Sequence, residues 1–310
     1  MKGLGPEKVG IVMSVSLGIF KWILKKSKIK ESYDRPVEEI NQMTVKKNSR
    51  RKFDLTSDKT FGVEKLQIEN RPVMILHNRA NTGKALLYFY GGGFTTEMSR
   101  IEKRAAVKFG KRSSRDVWIP RYPSCLDVSV RETYQMALET YRKMLDVYEP
   151  NDIAVIGFSA GADIGLGMFE YNNTMKDPLP PPGLLILSSP ACIPSTEAER
   201  KTIRELEEAD LMIPASFVHS IKETMCHGEE LPDYMTQLTT GNLTNMPYTH
   251  IYYGSDEILS AAAPLLAAAY HKYGSECELH IGPGMFHCYP AIDLFPETKA
   301  AFDEIVGYLS

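Results

Sequence analysis

A chain of 310 residues is long enough for one large α/β domain with an accessory element. Its apolar share of 43% and charged share of 24% are those of an ordinary globular protein. The formal net charge is -3 and no basic stripe is interleaved with aromatics, so nucleic-acid binding has no compositional support.

The five cysteines, Cys125, Cys192, Cys226, Cys277 and Cys288, are odd in number. None pair at metal-ligand or redox-motif spacing, which favours a reducing compartment and buried or inert thiols. Residues 9–20 are largely apolar, but Lys21 interrupts the run before it reaches the roughly 20 residues of a bilayer span. No small-residue cleavage site follows, which argues against a cleaved signal peptide. Two readings stay open. The segment packs on the protein as part of a lid, or it lies on a membrane surface with Lys21, Lys25, Lys26, Lys28 and Lys30 on the cytoplasmic side. The expected location is cytoplasmic, with peripheral contact at the inner face of the membrane under the second reading.

Residues 36–43 suggest a helix, and the basic run 46–52 reads as a solvated face. Residues 61–68 and 72–77 read as two strands joined at Glu69-Asn70. Residues 85–90 have the unbroken apolar character of a central strand, and run into Gly91-Gly92-Gly93-Phe94. A helix over 100–109, a strand over 116–120 and a long amphipathic helix over 128–148 follow. Residues 153–156 form a buried strand that gives way at Gly157-Phe158-Ser159-Ala160-Gly161 to a helix over 162–168. After a proline-rich loop, 184–187 is a further buried strand. This alternation calls for a mostly parallel sheet covered on both faces.

The rhythm breaks over 195–241, where no strand is convincing. Thr196 and Glu199 are spaced as a capping box for a charged helix reaching Leu211, and 217–225 suggests a second helix. A strand over 248–253, a helix over 261–272, a strand over 276–281 and a closing helix over 300–309 restore it. The expected division is an N-terminal helical lid segment at 1–45, core at 46–194, inserted lid at 195–241 and core at 242–310.

A serine hydroxyl needs an adjacent base, and the base needs a carboxylate to hold its tautomer. Both partners should come from loops at the C-terminal edge of the sheet. Gly157 and Gly161 leave room for a strained turn that lifts Ser159 above that edge. The loop after the 248–253 strand supplies Asp256, with Glu257 its nearest rival as the orienting carboxylate. The Gly-rich loop after the 276–281 strand supplies His287. The other six histidines precede Asp256 or lie within a helix or strand. The expected triad is therefore Ser159, Asp256 and His287. Gly92, Gly93 and Ala160 would donate the backbone N–H groups of an oxyanion hole. No G-K-[ST] and no G-x-G-x-x-G accompanies the glycines, so phosphate and dinucleotide binding are poor rivals, and neither cofactor nor metal is expected.

Tyr90-Gly91-Gly92-Gly93-Phe94, Gly157-Phe158-Ser159-Ala160-Gly161, Gly254-Ser255-Asp256 and Gly284-Met285-Phe286-His287 together resemble the α/β-hydrolase superfamily, specifically the hormone-sensitive-lipase-like esterases and lipases. Tyr90 replaces the family's usual His before the glycines, and Phe158 and Ala162 depart from its G-D-S-A-G-G pattern. The resemblance implies an α/β-hydrolase fold, a mostly parallel sheet covered by helices with a helical lid. It also implies a serine carboxylesterase acting on short to medium acyl esters of small molecules. An amidase or acetyl-sugar deacetylase with the same triad is the alternative, and a non-catalytic binding protein on the scaffold is a more distant one. Phe20, Trp22, Phe94, Met212, Phe217 and Met225 are available to line an apolar acyl pocket.

Overall fold

The computed structural model describes residues 14–191 and 193–310. The first part of the apolar N-terminal run and Cys192 lie outside the described residues. Three helices open the described chain: α1 (Val15–Lys26), α2 (Ile29–Tyr33) and α3 (Val37–Asn48). The hairpin β1 (Phe61–Ile68) and β2 (Arg71–Asn78) turns at Glu69 and Asn70, both at positive φ, as the turn chemistry predicts.

From there strands and helices alternate. β3 (Ala85–Phe89), α4 (Arg100–Ser113), β4 (Asp116–Pro120), α5 (Val130–Leu145), β5 (Ile153–Phe158), α6 (Ala160–Asn172) and β6 (Leu184–Ser188) follow in order. The insertion holds α7 (Glu197–Leu206) and α8 (Ala215–Cys226), and the chain closes with β7 (Thr249–Gly254), α9 (Ala263–Lys272), β8 (Cys277–Gly282) and α10 (Pro296–Leu309). The eight strands form one sheet in the order β1-β2-β4-β3-β5-β6-β7-β8. β2 pairs antiparallel with β1 and β4, and every other pairing is parallel.

Every residue of β3, β4, β5 and β7 is buried, which explains their continuous apolar runs: helices cover both faces. Parallel order has a direct consequence for chemistry. The loops leaving β3, β5, β7 and β8 all emerge at the same edge of the sheet.

A helical cap covers that edge. α7 begins with the predicted box, Thr196 Oγ1 accepting from Glu199 N while Glu199 Oε2 accepts from Thr196 N at 2.9 Å. It ends at Leu206 rather than Leu211. Asp210 is used instead as a knot, its carboxylate accepting from Met212 N, Ile213 N and, across the fold, Ile258 N. α8 meets the N-terminal helices through Tyr33 and Phe217, whose rings lie 5.2 Å apart, and through Ser216 Oγ donating to Asp34.

α1 packs on the core through fully buried Leu17 and through Phe20, whose ring sits against Phe286 and Phe295. Ser14 ties its start to Glu297 of α10. Among the described residues, no helix is long and apolar enough to cross a membrane.

Candidate active site

β5 hands directly to α6 through Ser159, which sits at φ 55° and ψ -129°. That conformation is costly for a residue with a Cβ and persists only where its surroundings impose it. The imposing contact is backbone against backbone. A Cβ at position 161 would lie 2.3 Å from the Phe89 carbonyl oxygen, so only glycine lets α6 start this close to β3. Ser159 is thereby held at the N-terminus of α6, with its own N–H donating to Ser188 O at 2.8 Å.

The loop after β3 wraps beside it. Gly92 and Gly93 take φ 123° and 58°, and the Gly92 carbonyl is tied by the N–H groups of Thr95 and Thr96. The Gly91 N–H is consumed by partly buried Glu102, which also closes the capping box of α4 with Ser99. Among the described residues the N–H groups of Gly92, Gly93 and Ala160 have no acceptor. They are the three expected as oxyanion donors. Tyr90, which stands where the resemblance leads one to expect His, is buried and stacks on Tyr122 at 4.4 Å.

His287 follows β8 and is almost fully buried. The carboxylate on its Nδ1 belongs to Glu257, at 2.6 Å, and not to Asp256. Glu257 is wholly buried and completely satisfied: Oε1 accepts from Gly254 N at 2.6 Å and Ser189 Oγ at 2.8 Å, and Oε2 takes the imidazole. Asp256 points the other way. Its carboxylate pairs with Lys21 of α1 at 2.7 Å and accepts from Ser255 Oγ, with a side chain 28% exposed. Lys21 Nζ also donates to Gly284 O at 2.9 Å, so Asp256 anchors the N-terminal helix to the loop carrying His287.

Two residues that sequence reasoning passed over belong to this site. Cys288 places Sγ 3.5 Å from His287 Nε2, and that sulfur also approaches Ser188 O at 3.7 Å. Because Ser159 N donates to the same Ser188 carbonyl, the elbow and the histidine loop meet around one peptide group. Burial alone would push the His287 pKa down; the neighbouring Cys288 sulfur and the Glu257 carboxylate outweigh it and hold the pKa well above 6.5. Among the described residues, Ser159 Oγ and His287 Nε2 share no hydrogen bond. Asp163, one turn into α6, is the second. It is buried, accepts from Ala191 N at 2.6 Å, and is pushed well up the carboxylate range by burial. Nothing in its helical spacing distinguishes it from an ordinary surface acid.

A cavity of about 40 Å³ opens beside Ser159, bounded by Gly93, Ala160, Asp163 and apolar side chains of α8. Of the residues available for an acyl pocket, Phe94, Phe217 and Met225 line it. Phe20 packs on Phe286 and Phe295 instead, Trp22 is exposed, and Met212 lies outside the lining. Phe217 closes the cavity against the glycine loop: a Cβ at position 93 would lie 2.9 Å from its ring.

A family model described as the alpha/beta hydrolase fold matches residues 86–291. An acetyl-hydrolase from Streptomyces hygroscopicus is 24% identical over 229 residues, covering 73% of this chain and 75% of that protein. Among solved structures, an esterase/lipase from an uncultured bacterium superposes with a TM-score of 0.79 at 21% identity, over 96% of this chain and 98% of its own. An esterase from the bacterial hormone-sensitive lipase family gives 0.77 at 18% identity, with the same coverage. At these identities the superpositions establish a shared fold.

Proposed function

This chain belongs to the alpha/beta hydrolase fold family, and from that premise we propose that it is a serine carboxylesterase for short acyl esters of small molecules. The observation that carries this reading is a buried imidazole–carboxylate pair, His287 and Glu257 at 2.6 Å, on a loop whose Cys288 meets the Ser188 carbonyl that also takes the N–H of the strained Ser159 elbow. Ser159 Oγ attacks the ester carbonyl while His287 Nε2 takes its proton, having exchanged the Cys288 sulfur for the hydroxyl as substrate enters. Glu257 keeps the proton of the ring on Nδ1 and stabilises the imidazolium. The N–H groups of Gly92, Gly93 and Ala160 meet the oxyanion. Collapse expels the alcohol, which takes its proton from His287. Water, deprotonated by the same nitrogen, then releases the carboxylic acid from the acyl-enzyme.

The small cavity supports acetyl and other short acyl groups, and the cap helices act as the lid over it. A fluorophosphonate probe should label the protein, with the adduct mapped by peptide mass to Ser159. On a p-nitrophenyl ester panel, kcat/KM should fall from acetate and butyrate towards octanoate. An unlabelled protein, or label elsewhere, would sink the reading.

Peripheral contact with an anionic membrane is supported by the outer face of α1. Val15, Ile19, Trp22 and Ile23 are exposed there at helical spacing, and exposed Lys25, Lys26 and Lys28 follow. Full-length protein should float with phosphatidylglycerol vesicles and not with phosphatidylcholine alone. A Trp22→Ser/Ile23→Ser variant should stay at the bottom of the gradient while hydrolysing p-nitrophenyl acetate normally. Equal flotation of the two proteins would contradict the contact.

A further inference from the structure

At the far end of β7 and β8 from the glycine loops, three side chains converge that the proposed esterase chemistry does not use. His250 and Glu278 are register partners on the two strands, and Tyr252 and His280 are the next such pair along the same face. Alternate residues of a strand share a face, so His250, Glu278 and His280 project to one side of the sheet. His250 Nδ1 lies 3.1 Å from His280 Nε2 and 3.5 Å from Glu278 Oε2, and His280 Nε2 lies 3.9 Å from the same oxygen. A tetrahedral zinc ion with bonds of about 2.0–2.1 Å sets its ligand atoms about 3.3–3.4 Å apart. The triangle has that size.

The surroundings are those of a held ligand set. His250 stacks on Tyr308 at 3.8 Å and His280 on Tyr252 at 4.3 Å, which fixes both rings. The second ring nitrogen of His280 faces Glu304 Oε2 at 3.7 Å, and Glu304 is itself oriented by the Tyr252 hydroxyl at 2.7 Å. A carboxylate behind a ligating imidazole sets its tautomer and raises its basicity. Glu278 is half exposed and leaves a path for entry and a fourth position for water. A plain His–His hydrogen bond would account for the 3.1 Å contact, but not for a carboxylate closing the triangle and another behind the ring.

We propose that His250, His280 and Glu278 form a Zn²⁺ site, completed by water. Two imidazoles and one carboxylate are a donor set suited to zinc. The site would staple edge strand β8 to β7. Each histidine lies seven residues upstream of one member of the buried pair, His250 of Glu257 and His280 of His287. Zinc is therefore placed to stabilise the scaffold under the two loops without touching substrate.

The test uses the full-length chain stripped with a chelator and titrated with ZnCl₂. One equivalent should bind by calorimetry, melting temperature should rise, and Co²⁺ should give the visible absorption bands of a tetrahedral complex. Glu278→Gln and His280→Gln should abolish the tight equivalent and the bands. Glu304→Gln should weaken affinity about 10–100-fold. Because His250 is buried, its substitution is not needed; Glu278 is exposed and its variant should fold with unchanged apo melting temperature and unchanged p-nitrophenyl acetate turnover. Retention of the equivalent in the Glu278→Gln/His280→Gln double variant, or no zinc-dependent rise in wild-type melting temperature, would overturn the site. Neither result bears on the esterase reading, whose probe is Ser159.

Discussion

Ser159→Ala should reduce kcat for p-nitrophenyl butyrate by about 10⁶-fold, because removing a nucleophile leaves only binding and oxyanion stabilisation to act on water. The fold should be unaffected. Alanine pays the same backbone cost as serine at φ 55°, and among the described residues the Ser159 hydroxyl has no hydrogen bond to lose. Melting temperature should therefore stay within the range of ordinary neutral substitutions, about ±0.5 kcal/mol in stability. Matched unfolding curves and turnover assays make the comparison. A variant with wild-type turnover would remove Ser159 from the reaction, and one that fails to fold would show that the hydroxyl has a structural partner.

Glu257→Gln and Asp256→Asn should separate two adjacent carboxylates that sequence spacing leaves as rivals. Glutamine at 257 keeps the shape but cannot hold the Nδ1 proton in place while the ring charges. A loss in kcat of about 10³–10⁴-fold is expected, the scale set by an Asp→Asn change at the corresponding place in a serine protease. Asp256→Asn should leave kcat within a few-fold, since its carboxylate holds Lys21 and not the imidazole.

The pH profiles sharpen the distinction. Neutral His287 is the base, and its pKa is held above 6.5, so wild-type kcat/KM should rise with pH through an acid limb lying above that value. Removing the Glu257 charge takes away support for the imidazolium and should move the limb to lower pH. Asp256→Asn should leave the limb in place. A large loss on Asp256→Asn, with Glu257→Gln nearly active, would reverse the assignment.

Much of this arrangement was legible in the chain because it is local. Phe61–Ile68, bounded by the turn at Glu69-Asn70, and the short strand Asp116–Pro120 fall where they are expected, and the Thr196–Glu199 box starts α7 where its spacing requires. Glycine is readable at 161 for a steric reason, since the residue beside it must turn from strand into helix against β3. Four loops at one sheet edge likewise follow from strand alternation, once the strands are parallel. The extent of α7 was less legible. Beyond Leu206 the helical pattern continues, but Asp210 gains more partners by capping two chain segments than by extending the helix.

By itself the sequence determined the order of strands and helices, the serine elbow, the glycine loop and the histidine after the last strand, because each is written in the spacing of neighbours. Tertiary structure alone decided which carboxylate reaches His287. Asp256 and Glu257 are successive residues leaving one strand and project to opposite sides, so the outcome depends on where the loop from β8 and helix α1 come to lie. The same holds for Cys288 beside the imidazole and for the His250–Glu278–His280 triangle, whose members meet only because two parallel strands adopt one register. Contacts between residues some 30 positions apart carry no periodic signal, and packing is what brings them within bonding distance.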